Sequence, residues 1–454
     1  MTLPASLLRE LENPNLSVNT RAELCCEAAR LLEYKGEYEK ARQVLSDYWQ
    51  SIGERPKLAG LEPSTAGEVL LRAGVLTGII GSKNQIESQE TAKNLIHESL
   101  TIFESRKYSK KIVEAQTELA LCYWRTGELN EARDLLTDSL SRLPAYSEVK
   151  AKTIVRLGIV ECEAASYSKA LRVLTENAPL FEKINNETLK GSFHQILGTV
   201  LRHIWEAKQR GDYIDRALIE YAAASYHFQQ AEHRCYLANV ENQLGLIYFN
   251  INRCEEAHQH LDRARRIHAS LRDAGTVAQV DETRACVFLK QGRNAEAEEA
   301  ARAAVRSQEK TGRHALLAEA LITHGRALAR LKRYSAALFA FRRAFDLSEH
   351  TGNTNWAAEA ALAAFQEIGE HLAVIEGENV LPGRGLSKEK QSIEHDAIKL
   401  ALKQAKGSVV HAARSLGISF QALTYMLETR HKDLLKYRTP VRRRPRNLDR
   451  RSPK

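Results

Sequence analysis

A short motif ending in a buried-type alanine recurs along this chain, and that recurrence constrains the fold more than any other feature. The motif is a helix, a turn with Gly or a polar residue, an aromatic or polar position, and then a small residue opening the next helix. It reads Lys35-Gly36-Glu37-Tyr38-Glu39-Lys40-Ala41 and Thr126-Gly127-Glu128-Leu129-Asn130-Glu131-Ala132. Shorter copies lead to Ala170, Ala217, Ala257, Ala297 and Ala337, and a weaker one places Ala92 after the polar turn Gly81 to Gln89. The last four anchors stand 40 residues apart, and the others scatter around that spacing. This period fits one antiparallel helix pair per unit, each helix roughly 15 residues long plus turns. Alanine suits the anchor because two helices approach closely there. The flanking segments show helical apolar spacing, as in Leu244, Ile247, Tyr248 and Ile251. No stretch sustains period-two alternation, so the expected fold class is all-α: about eight helix pairs of roughly 40 residues, followed by a small helical module.

Composition agrees with a folded helical chain. Hydrophobic residues make up 43%, charged residues 27%, and only 10 prolines occur in 454 residues. No window supplies the roughly 20 uncharged apolar residues that cross a bilayer; Val69 to Ile80 is too short and is interrupted by Arg72. Met1 to Leu16 carries Arg9, Glu10 and Glu12 where a secretion signal needs an apolar core. A cytoplasmic, nucleoid-associated protein without a membrane partner is therefore expected. The seven cysteines (Cys25, Cys26, Cys122, Cys162, Cys235, Cys254 and Cys286) are scattered without a C-x-x-C pair, which favours reduced thiols among apolar neighbours over a metal site. No cofactor is expected.

At the repeated motif the chain resembles the tetratricopeptide repeat family, over about residues 20 to 375. The resemblance implies a superhelix whose concave face, lined by the first helix of each pair, binds a peptide or protein. Asn239, Asn242 and Gln243 stand on a first-type helix, where amides can hold a peptide backbone, and they are the candidate partner-groove residues. His258, His260 and His268 share a second-type helix without metal spacing, and read as surface histidines.

Past His371 the pattern changes. Residues 381–391 hold Pro382, Gly383 and Gly385 among charges and read as a linker between a repeat domain, 1–380, and a module, 392–436. A helix is predicted from near Ser392 to a stop at Gly407. Ser408 caps the next helix, which carries Val409, Ala412, Ala413 and Leu416. Gly417-Ile418-Ser419 turns the chain into a helix over 420–428, with Leu423 and Leu427 facing inward. The string Ala412-Ala413-Arg414-Ser415-Leu416-Gly417-Ile418-Ser419 resembles the Fis-type helix-turn-helix. That resemblance implies that Ser419, Phe420, Gln421, Thr424 and Tyr425 face a DNA groove, that Ser408, His411 and Arg414 approach the backbone, and that the module pairs as a homodimer. One departure stands out: where the family usually places Arg or Lys on the recognition helix, this chain has Phe420, Thr424, Tyr425 and Met426. Base-specific hydrogen bonding then falls to Gln421 and Thr424.

Charge singles out the same end. Leu386 to Lys454 carries 17 Lys or Arg against 6 Asp or Glu, a net of +11, so the other 385 residues carry −2 of the chain's +9. Arg430 and Lys432 lead into a basic tail, 437–454, containing Arg442, Arg443, Arg444 and Arg446, which is expected to be disordered until it tracks phosphates. No phosphate-binding loop, nucleophile elbow or H-E-x-x-H motif occurs, so no enzyme is expected. The sequence thus points to a regulator that binds double-stranded DNA and takes a peptide or protein in its repeats. The alternative is a repeat-based adaptor or scaffold whose basic end serves only as an anchor.

Overall fold

The computed structural model describes residues 4–81, 87–208, 210–311, 314–350, 354–369, 386–416 and 420–438, and every regular element among them is helical. The chain divides into two compact units, Met1–Arg272 and Asp273–Lys454.

After a short helix, Ala5–Leu11, the first unit holds six helix pairs. They are Val18–Tyr34 with Tyr38–Val44, Pro63–Gly81 with Glu87–Ser105, Ser109–Thr126 with Leu129–Ser141, Glu148–Glu163 with Tyr167–Glu176, Glu187–Lys208 with Gly211–Gln230, and Arg234–Asn250 with Cys254–Ser270. The second unit continues with Ala274–Lys290 and Asn294–Thr311, then His314–Arg330 and Tyr334–His350, then Thr354–Ile368. It ends in Leu386–Gln404, Val409–Ser415, Phe420–Thr429 and a 3-10 helix, Lys432–Tyr437.

Each of the eight anchor alanines lies in the second helix of a pair, and all eight are fully buried. The reason is backbone proximity. A Cβ added at Gly245 would stand 3.3 Å from the Ala257 carbonyl and 2.5 Å from Leu261 Cγ, so the small residues of the two helices face each other. The departures from the 40-residue period have visible causes. Between Ala41 and Ala92 the segment 46–62 is non-helical, pinned by Trp49, which is buried and donates from Nε1 to the Glu54 carbonyl at 3.1 Å. Between Ala170 and Ala217 the additional helix Ala178–Lys183 intervenes.

Six of the turns within pairs share one backbone device. At Gly36, Gly127, Ala165, Asn252, Gly292 and Lys332 the chain adopts positive φ, from 54° to 84°. The next residue's N–H then donates back to the carbonyl five positions earlier, as Arg253 does to Tyr248 at 2.8 Å and Arg333 to Leu328 at 2.9 Å. This closure satisfies the last helical carbonyls.

The first unit also buries charge. Arg72, which breaks the apolar run noted in the sequence, is fully buried. Its guanidinium lies 2.9 Å from Glu33, 2.9 Å from Glu114 and 3.5 Å from Glu68. Three carboxylates brought by three helices thus hold one cation out of water. Two expectations need correcting. His268 is buried rather than on the surface, and His260 is half-buried, with Nδ1 2.7 Å from Glu241. The helix predicted from near Ser392 begins at Leu386, within the segment read as linker. All seven cysteines are free, four of them buried, and burial pushes the thiols of Cys25, Cys122 and Cys162 up to about 11.

Candidate functional site

Two sites stand out, one in each unit. The first is the terminal helical module. Ala397, Ile398, Ala401 and Leu402 of Leu386–Gln404 form a core with Val409, Ala412, Ala413 and Leu416 of the next helix and Leu423, Met426 and Leu427 of Phe420–Thr429. Ser408 caps Val409–Ser415, its Oγ accepting from the His411 N–H and lying 2.9 Å from His411 Nδ1. These contacts follow the sequence reading: small Ala412 and Ala413 at the helix crossing, and serine at the cap.

A lattice that sequence reasoning missed ties the module's last element back to its first helix. His431 Nε2 and Glu394 lie 3.0 Å apart, both buried, and Arg430 reaches the same carboxylate at 3.5 Å. His395 Nε2 lies 2.7 Å from Asp433 and Nδ1 3.1 Å from Asp396. Burial works against the His395 cation, but these carboxylates hold its pKa above the ordinary value. The acidic groups Glu394, Asp396 and Asp433 are therefore each engaged with a histidine, while Arg414, Arg430, Lys432 and Lys436 remain at the surface.

The predicted groove-facing residues separate into three groups. Phe420, Gln421 and Tyr425 are exposed, Tyr425 by 64% and Phe420 by 46%, and His411 and Arg414 are exposed on the preceding helix. Met426, read as exposed, is buried instead, because it lies three positions after Leu423 on the core stripe. Thr424 is half-buried, with its hydroxyl shielded and without a hydrogen-bond partner, which leaves Gln421 as the exposed amide of this helix. Ser419, Arg442, Arg443, Arg444 and Arg446 lie outside the described residues, as do Gly417 and Ile418.

The second site is a cavity of about 350 Å³ in the first unit. It exists because this unit closes on itself. Thr188 Oγ1 donates to the Tyr34 carbonyl at 2.7 Å, although the two are 154 residues apart in sequence. The Tyr38 ring meets His233 edge-on, and a Cβ at Gly36 would stand 2.6 Å from His233 Cε1, so only glycine admits the contact. Of the three predicted groove amides, Asn239 lines the cavity. Asn242 and Gln243 are not among its lining residues. Asn242 is buried, with Oδ1 unpartnered, and Gln243 is half-buried. Among the described residues no group of histidine, cysteine and acidic side chains is arranged to hold a metal, and no helix is long and apolar enough to cross a membrane.

Fold and module together define a helical-repeat chain with a small helical module after the repeats. A family model described as Tetratricopeptide repeat matches residues 276–350, and one described as Bacterial regulatory protein, Fis family, matches residues 391–428. The chain accordingly carries a tetratricopeptide repeat and a Fis-family module. No curated protein matches it. Among solved structures, a Rap protein complexed with competence and sporulation factor is similar at 14% identity, over 81% of this chain and 99% of that one, with a TM-score of 0.50. The human IFIT1 dimer is similar at 14% identity, over 80% of this chain and 76% of that one, also with a TM-score of 0.50. At such identities the likeness is one of fold.

Proposed function

We propose that this protein is a DNA-binding transcriptional regulator whose repeats bind a peptide or protein partner and whose terminal module, acting as a homodimer on paired half-sites, binds double-stranded DNA. The observation that carries the reading is the coincidence of the Fis-family match with the basic end of an otherwise near-neutral chain. In this reading Gln421 and the half-buried Thr424 meet base edges together with Ser419, while Phe420 and Tyr425 offer apolar contact to thymine methyls. Ser408, His411, Arg414, Arg430 and Lys432 hold the phosphate backbone, and Arg442, Arg443, Arg444 and Arg446 extend that grip. Asn239, Asn242 and Gln243 are assigned to the partner side. The protein works in the cytoplasm, at the nucleoid, and no catalytic step or cofactor enters the proposal. The proposed domain limits are repeats to residue 380, a linker over 381–391, a module over 392–436 and a basic tail beyond.

The test is binding of genomic DNA fragments across a salt series by the full chain, by a version ending at Arg438, and by Arg414→Ala. If four tail arginines contact phosphates, removing the tail lowers the slope of log affinity against log salt by about 4. Enriched fragments sharing a motif support a specific regulator. Binding that ignores salt and both changes sinks the DNA reading.

A second reading has one observation in its favour. The exposed aromatics Phe420 and Tyr425, on a helix with no Arg or Lys, make a surface suited to docking a protein, as an adaptor would. It predicts partner capture that Tyr425→Ala abolishes and DNA does not compete.

A further inference from the structure

The cavity of the first unit has an electrostatic asymmetry that the repeat fold does not require. Its walls carry three cations, Arg125, Lys152 and Arg156, and two acids, Glu33 and Glu118. Four of these five are already matched. Glu118 takes Lys152 at 2.5 Å and Arg156 at 2.6 Å, and Arg156 also donates to the Thr117 carbonyl. Glu33 takes Arg72 at 2.9 Å, leaving its Oε1 without a partner. Arg125 alone has no hydrogen bond or ion pair to any described residue. Its guanidinium is placed by Gly78, where a Cβ would stand 3.1 Å from Nη1.

A second unsatisfied group borders the same space. His233 is 1% exposed and caps its helix, with Nδ1 accepting from the Tyr236 N–H at 3.2 Å, which puts the ring proton on Nε2. That Nε2 has no partner. Burial pushes the His233 pKa down to about 4, so the ring is neutral at physiological pH and adds no charge to this wall. Trp124 and Tyr236 add aromatic wall, and Val75 and Ile196 add apolar wall.

We propose that this cavity binds a small organic carboxylate on an apolar or aromatic body, seated on Arg125, with the Asn239 amide as a further donor. A single unpaired guanidinium matches a singly charged, planar, two-oxygen acceptor, whereas a phosphate dianion calls for a cluster of cations. The volume lies at the low end for small-molecule sites and is too small for a helix about 10 Å across. The carboxylate belongs to a free small acid or to the C-terminus of a short peptide. The inference deepens the reading of the repeats as a ligand-binding half and rests on it.

The experiment is calorimetric titration of the full chain with 3-phenylpropionate, its amide, and a tetrapeptide ending in Phe as free acid and as C-terminal amide. At least one acid binds saturably, with its amide about tenfold weaker or worse, because the charge-assisted bonds are lost. Arg125→Met brings the acid down to the level of its amide. Gln195→Glu, which adds a like charge to the wall, does so independently if Arg125→Met fails to fold. Binding by the peptide acid alone identifies a chain terminus, and binding by phenylpropionate alone identifies a free acid. Amides that match acids, an Arg125→Met protein with unchanged acid affinity, or no saturation by about 10 mM overturns the proposal. Partner capture that persists in any of those cases leaves the broader reading of the repeats standing.

Discussion

Replacing Arg72 with methionine removes the cation at the centre of the first unit while keeping much of its volume. The side chain is fully buried, and its partners Glu33, Glu68 and Glu114 are only 8%, 11% and 14% exposed, so water cannot take over its role. Breaking a buried ion pair by deleting one partner costs about 3–5 kcal/mol, since charge is left desolvated and unopposed. Two of the three contacts are short, and Nε lacks a hydrogen bond, which argues against a larger figure. The assay is urea unfolding followed by tryptophan fluorescence in a Trp356→Phe background, where the remaining Trp49, Trp124 and Trp205 all lie within Met1–Arg272. At a slope of about 2–3 kcal/mol/M the midpoint falls by roughly 1–2.5 M. The deficit shrinks at acidic pH, where the stranded carboxylates take up protons, and adding Glu33→Gln and Glu114→Gln restores most of the loss. A loss below about 1 kcal/mol, typical of an exposed pair, or a triple variant no better than the single one, would refute the reasoning.

Four further outcomes are expected. The His233 pKa is about 4 in the folded chain against an ordinary 6.5, so its contribution is present above pH 6.5 and lost as pH falls toward 4; His233→Asn, which keeps the helix cap, flattens that part of the stability profile. Glu319 has the opposite sign: burial, aided by Glu282 and Glu359, raises it to about 7, so stability drops as pH climbs from 4.5 through 7, and Glu319→Gln removes this slope in thermal melts. Lys332 holds φ at 61° in an exposed turn, and Lys332→Gly raises stability by about 0.5–1 kcal/mol in denaturant titration; no gain counts against strain at this turn. Gly245→Ala places a Cβ 2.5 Å from Leu261 Cγ and lowers stability by about 1–3 kcal/mol; in a Leu261→Ala background the added methyl costs less, with only the 3.3 Å approach to the Ala257 carbonyl left.

The repeat was legible because its anchor is a steric requirement: nothing larger than alanine fits where the helices touch, and all eight anchors are fully buried. The turns were harder to read, since the positive φ they share falls on glycine at 36, 127 and 292 but on Ala165, Asn252 and Lys332 elsewhere. The six-residue backbone closure tolerates either, so the glycine signal is intermittent. The terminal module's core was also legible, Met426 excepted, and its place one turn from Leu423 on the apolar stripe was a signal available in the sequence. What could not be read is contact between distant residues. Nothing local marks Tyr34 as a partner of Thr188, or Arg72 as the centre of a carboxylate cluster, and without that closure the cavity beside Arg125 has no outline.

The helix Leu386–Gln404 packs against Thr354–Ile368, and Ala361 of the last repeat helix shares a core with Ala397, Ile398 and Leu402. A stacked array always ends on a face that its next member would have covered, and here the first helix of the terminal module acts as the lid. Severing the chain at Leu386 would therefore uncover a greasy end and invite clumping, whatever the lost part does with DNA. Transplanting this module onto another protein, or another module onto these repeats, calls for moving Thr354–Ile368 with it.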